Sequence, residues 1–180
     1  LIISLRLLIK FFYIITLVIF FSCDSNNTRI MPQVIDKKHI EELLIERNID
    51  ILARESELID EYIKQNNLEV VKTGTGLRYQ VLNIGEGEYI KKGDLVTLQY
   101  EIRFLDNDVV YSSDSDGYKT FLVGRGRVES GLEEAILKLK MQSEAIIILP
   151  SHLAYGFVGD GNKIPYKSVL VYRIKVIDIK

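Results

Sequence analysis

Cys23, His39 and His152 are the chain's entire complement of cysteine and histidine in 180 residues. That leaves little material for nucleophilic or metal chemistry. His152 follows Ser151, but no GxSxG elbow surrounds the serine and no acid stands in a triad position. His39 lies on the polar side of a helical stretch. Gly124-Arg125-Gly126 starts like a dinucleotide loop, yet Glu129 stands where the third glycine is required. Gly126 to Gly131 has P-loop spacing, but Leu132 and Glu133 replace the phosphate-binding Lys and Ser/Thr. Ser112, Asp114, Asp116 and Gly117 hint at a calcium loop whose twelfth position is Val123, not Glu. That segment reads as a solvated turn. These residues imply no metal site and no cofactor.

Composition narrows the class further. A formal net charge of −2 gives no electrostatic reason to expect nucleic acid, and one Cys excludes a disulfide framework. With 47% apolar and 27% charged residues the chain can build a core.

The elements that would position the aromatics are legible by period. From Asp36 to about Asn66 the pattern is helical, with Leu44, Ile51 and Leu58 in one seven-residue series and Ile45, Leu52 and Ile59 in another. Asp36 is a reasonable N-cap and Asn66-Asn67 a reasonable stop, while Asn48 or Ser56 could divide the stretch in two. This helix either lies across the following domain or serves as a dimerising arm, and oligomeric state stays open. From Leu68 the period becomes two. Val96, Leu98, Tyr100, Ile102 and Phe104 alternate with polar residues, as do Leu170, Tyr172, Ile174 and Val176. Ala145 to Leu149 reads as a shorter, fully apolar strand. Ser130 to Glu133 has capping-box spacing before a helical face of Leu132, Ala135, Ile136 and Leu139. The expected fold class is α+β: a twisted antiparallel sheet wrapped around one short helix, preceded by a helical extension.

Arg6 and Lys10 precede an uncharged run from Phe11 to Phe21, the plan of a secretory signal over residues 1–22. Ser22-Cys23 then resembles a bacterial lipoprotein cleavage site, although Phe20 and Phe21 replace the usual Leu and small residue. The resemblance implies lipidation of Cys23 and a polar tether over 23–35. An uncleaved membrane anchor with an incidental Cys is the competing account. Both place the remainder outside the cytoplasm.

Ala154-Tyr155-Gly156, an eight-residue loop, Ile164-Pro165 and Leu170-Val171-Tyr172 resemble the FKBP-type peptidyl-prolyl isomerases. Gly93-Asp94-Leu95-Val96, Ser112-Ser113 and Val128 to Glu134 extend the resemblance in register over residues 77–180. The signal, Cys and helical lead-in over 36–67 are similar to the gliding-motility-associated lipoprotein isomerases. The resemblance implies a pocket between sheet and helix, with Tyr155, Tyr100 and Tyr172 as catalytic residues. Phe121, Val128, Glu129, Leu132, Ile164, Val110 and Tyr111 would line the substrate pocket. The Tyr155 hydroxyl and the Glu129 backbone N–H would orient the substrate. Core packing alone is the competing account of Tyr100 and Phe121, and a poorer one for Tyr155, which stands in a loop. Several positions depart from the pattern: Leu132 replaces a Trp, Glu129 an Ile, Tyr111 an Asp and Val110 an aromatic. Asp160 and Lys163 stand where an aromatic or His and an apolar residue are common.

The implied function is isomerisation of X–Pro bonds in exported proteins at a bacterial cell envelope. The partners would be proline-containing polypeptide clients, with the membrane reached through the lipid on Cys23 and the protein facing the periplasm, on the outer membrane. Service to gliding motility belongs to the narrower resemblance. The alternative is a non-catalytic peptide-binding module of an envelope assembly.

Overall fold

The computed structural model describes residues 37–180; the signal segment, Cys23, the tether and Asp36 lie outside the described residues. The chain divides into two units, Leu1–Glu42 and Leu43–Lys180, and every strand among the described residues lies in the second. Helix α1, Lys37–Gln65, is continuous and is not broken at Asn48 or Ser56. It ends as its asparagines suggest. Asn67 takes a left-handed φ of 52° and Leu68 N–H returns to the Ile63 carbonyl at 3.0 Å. Within the helix only Glu55, Ile59 and Tyr62 are buried. Ile59 and Tyr62 pack with Ile148, Val169 and Val171 in a small second cluster. Leu44 and Ile45, members of the expected apolar stripe, are exposed instead at 55% and 60%. Among the described residues no helix is long and apolar enough to cross a membrane.

The strands are β1 (Val71–Lys72), β2 (Arg78–Asn83), β3 (Glu86–Tyr89), β4 (Leu95–Arg103), β5 (Val109–Ser112), β6 (Lys119–Leu122), β7 (Lys140–Met141), β8 (Glu144–Leu149) and β9 (Leu170–Ile179). The main sheet runs β1-β2-β8-β9-β4-β5, β6 also pairs with β4, and β3 and β7 form a separate ribbon. All pairings are antiparallel. β4 buries Val96, Leu98 and Ile102 and β9 buries Leu170, Tyr172, Ile174 and Val176, so the period-two reading fixes which face meets the core.

Two short helices complete the fold: α2, Ser113–Asp116, between β5 and β6, and α3, Ser130–Ile136. α3 buries Leu132, Ala135 and Ile136 in the principal core. A 3-10 turn, Ser151–Leu153, follows β8. The fold is thus α+β, an antiparallel sheet around one short core helix. The capping box does not form. Glu129, not Ser130, is the N-cap, and no side chain caps the helix. Glu133 turns away to the preceding loop, accepting Gly124 N–H at 2.6 Å and Gly126 N–H at 3.1 Å. Those two glycines lie in a loop with positive φ, and the carboxylate supplies partners for their amides there.

Candidate functional site

β4 supplies Tyr100, the turn after β8 supplies Tyr155 and β9 supplies Tyr172. The first two are half-buried and the third has no exposed surface. An open depression of about 250 Å³ is lined by Tyr100, Ile102, Tyr111, Asp116, Lys119, Tyr155 and Asp160. Phe121, Leu132, Ile164 and Tyr172 do not line it; they belong to the core cluster behind, against which Tyr100, Tyr111, Val128 and Tyr155 pack. Val110 is buried in the same cluster. The accessible site is therefore shallower and more polar than the residue types suggest.

Glu129 accounts for much of that polarity. Its side chain is only 4% exposed, with Oε1 3.5 Å from Lys119 Nζ. Lys119 also stands 5.6 Å from the centre of the Tyr100 ring. Burial pushes the Glu129 carboxyl up, but Lys119, the Tyr155 hydroxyl, its own backbone N–H and the Tyr172 hydroxyl outweigh this and hold it below the usual range. The packing is imperfect: Glu129 Oε2 and the Tyr172 hydroxyl are buried without a hydrogen-bond partner of good geometry. The phenols respond in the opposite direction. Burial, followed by the Glu129 carboxylate, pushes Tyr155 far up. Tyr172 is raised by burial and by Glu129. Tyr100 is raised by burial, then by Asp116 and Glu129. All three remain protonated donors at neutral pH.

The rim is tied across the site. Tyr111 donates to Asp160 Oδ2 at 2.5 Å and accepts from Asn162 Nδ2 at 3.1 Å. Asp160 also accepts Asn162 N–H at 2.9 Å and Ile164 N–H at 2.8 Å, which fixes the loop before Pro165. Lys163 bonds the Val110 carbonyl at 3.2 Å and lies 4.8 Å over the Tyr111 ring. Ser113 Oγ accepts the Tyr100 backbone N–H at 3.2 Å, so α2 steadies the strand that carries the phenol.

Lys119, Ile102 and Asp116 line the site and are not among the residues expected there, and Lys119 matters most because it pairs with Glu129. The signal was available, since Lys119 precedes Phe121 by two residues on β6 and must share its face. A larger depression of about 370 Å³ includes Gln99, Glu101, Arg103, Glu144, Arg173 and Lys175, the polar phase of β4, β8 and β9. Four of its charges pair, Arg103 with Glu101 at 2.6 Å and Lys175 with Glu144 at 2.8 Å, and it reads as solvated sheet surface. Among the described residues no group of three or more His, Cys, Asp or Glu could hold a metal ion.

An antiparallel sheet around one short helix, with the Tyr100 and Tyr155 phenols lining one depression and Tyr172 in the core behind it, defines an FKBP-type fold. Residues 86–177 match the FKBP-type peptidyl-prolyl cis-trans isomerase family, and the chain belongs to it. It is 36% identical over 121 residues to the probable FKBP-type peptidyl-prolyl cis-trans isomerase FkpA of Neisseria meningitidis, covering 66% of this chain and 44% of that one. It is 32% identical over 120 residues to the FKBP-type 22 kDa peptidyl-prolyl cis-trans isomerase of Escherichia coli, covering 66% and 58%. The chain spans less than two thirds of the length of these relatives. The crystal structure of FkpA from Escherichia coli matches with a TM-score of 0.63 at 25% identity, over 82% of this chain and 74% of that one. That of AtFKBP13 matches with a TM-score of 0.58 at 29% identity, over 62% and 99%.

Proposed function

We propose that this chain accelerates cis–trans isomerisation of X–Pro bonds in exported polypeptides, held at a bacterial cell envelope through Cys23. The observation that carries the reading is the convergence of Tyr100, Tyr155 and the Tyr172 ring within the region that matches the isomerase family. The X–Pro amide is held planar by resonance behind a barrier of ~18–20 kcal/mol. Uncatalysed exchange takes tens to hundreds of seconds. Twisting the bond reduces its dipole, so a partly dry aromatic wall binds the twisted form better than the planar one. Tyr155 stands at the open depression as a protonated donor for a substrate carbonyl. The Glu129 N–H, the other expected donor, stands beside a buried carboxylate that is paired with Lys119. No step requires a nucleophile or a cofactor. A protease-coupled assay on Xaa–Pro peptides tests the reading, and a folded sample that gives no acceleration overturns it.

The second reading, a peptide-binding module without turnover, is favoured by one feature: the buried Glu129–Lys119 pair stands where an apolar wall would aid twisting. Peptide binding without acceleration in the same assay selects it. The envelope location rests on the leader and Cys23 in the sequence. The link to gliding motility rests on the similar layout of leader, Cys and lead-in helix. Release of protein from the membrane fraction by Cys23→Ser supports the anchor, and unchanged fractionation refutes it.

A further inference from the structure

The turn that carries Tyr155 is held from outside the family-matched region. Ser151 opens it. The Ser151 carbonyl accepts Ala154 N–H at 3.1 Å and Gly156 N–H at 2.8 Å, while Leu153 N–H bonds the Pro150 carbonyl at 2.9 Å. The Tyr155 carbonyl then accepts Gly159 N–H at 3.2 Å. Ser151 is itself held by Glu55 of α1. Its N–H donates to Glu55 Oε2 at 2.9 Å and its hydroxyl to Oε1 at 2.6 Å, across a sequence separation of 96. Glu55 and Ser151 are both buried, at 6% and 5% exposure.

The helix does not need this carboxylate to dock. Ile59 and Tyr62 already pack on the sheet, and the buried Arg78 guanidinium grips Ser56 Oγ at 2.6 Å and Asp60 at 3.0 Å. A leucine at position 55 would fill the space without the cost of desolvating a charge. What the carboxylate adds is direction: two charge-assisted bonds that fix both the backbone and the side chain of one residue. That residue starts the turn in which Tyr155 stands four positions later.

We propose that Glu55 is a positioning residue, fixing the Tyr155 hydroxyl at the site through Ser151. The inference rests on the functional reading of Tyr155 given above. It makes α1 a working part of the site, although the helix lies outside residues 86–177.

The test uses the full chain with Glu55→Gln, Glu55→Ala and Ser151→Ala, and Ile59→Val as a packing control. Amide exchange at Gly156 and Gly159 should quicken about tenfold in Glu55→Ala, while strand amides at Ile147 and Tyr172 keep their rates. kcat/KM on an Xaa–Pro peptide should fall about tenfold in Glu55→Ala and less in Glu55→Gln, whose amide oxygen still accepts one bond. Ser151→Ala should fall between the two, since it keeps the backbone bond and loses the hydroxyl. Ile59→Val should lower Tm yet leave the turn amides and kcat/KM unchanged. Turn amides that exchange no faster in Glu55→Ala overturn the proposal, and so does an equal loss of activity in Ile59→Val. If the wild-type chain shows no acceleration, the isomerase reading fails while amide exchange still decides the role of Glu55.

Discussion

Glu129 stands where the family pattern has an apolar side chain, and its buried carboxylate puts a charge beside Lys119 and the site phenols. Replacing it removes a buried negative charge beside the Tyr155 hydroxyl and leaves Lys119 able to extend to solvent. Glu129→Ile should therefore raise kcat/KM by about 2- to 10-fold, the worth of one net hydrogen bond. A fall in that assay would show that the carboxylate assists turnover. Tyr155→Phe should lower turnover by a similar factor with little change in stability, because the ring stays packed and only a donor is lost. Tyr172→Ala differs. Its side chain has no exposed surface, so truncation should cost about 3–5 kcal/mol in denaturation as well as activity. An unchanged rate in Tyr172→Ala would mean that the site lies elsewhere. Two other departures explain each other: Tyr111 replaces an acid, Asp160 replaces an aromatic, and the two are hydrogen-bonded.

Element by element, the sequence exposes what period and packing decide and hides what distance decides. β4, β8 and β9 are legible because each alternates or runs apolar against one core. α3 is legible by its apolar face, but its capping box is not realised, since the amides that Glu133 satisfies belong to a loop folded back in three dimensions. The site is legible as a set of residue types; its shallowness is not, because the burial of Glu129 depends on Lys119 arriving from β6. The grip of Glu55 on Ser151 has no local signature at all. Gly131 shows how closely α3 is seated: a Cβ there would lie 2.5 Å from a Leu149 methyl and 3.0 Å from the Leu153 Cβ. Overpacking of that kind costs about 1–3 kcal/mol. Gly131→Ala should lower the urea midpoint accordingly and shift helix α3 away from β8, visible as chemical-shift changes at Leu149 and Leu153. A midpoint at or above wild type would show that the helix can slide at no cost.

Across the whole molecule, the charged groups held away from their ordinary pKa values bracket the range of stable folding. Glu129 and Asp160 titrate below the usual carboxylate range in the folded chain; Glu129 is the more consequential because it is buried. A depressed folded-state pKa means the unfolded chain binds the proton first as pH falls. Their contribution is therefore complete above the ordinary value of ~4.3 and is lost as pH drops through the lower folded values. Tyr155 and Tyr172 act at the other edge. Their folded-state pKa values lie above the ordinary phenol value, so the folded chain holds protons that the unfolded chain releases first. That contribution is complete below ~10 and is lost as pH climbs toward the raised values. Urea midpoints should thus be flat from about pH 5 to 9 and decline on both sides. Glu129→Gln should make the acid-side decline shallower and leave the alkaline decline in place, because Tyr172 stays buried. A midpoint that slopes steadily between about pH 5 and 9, or an acid limb unchanged in Glu129→Gln, would show that the buried pair with Lys119 does not govern this edge.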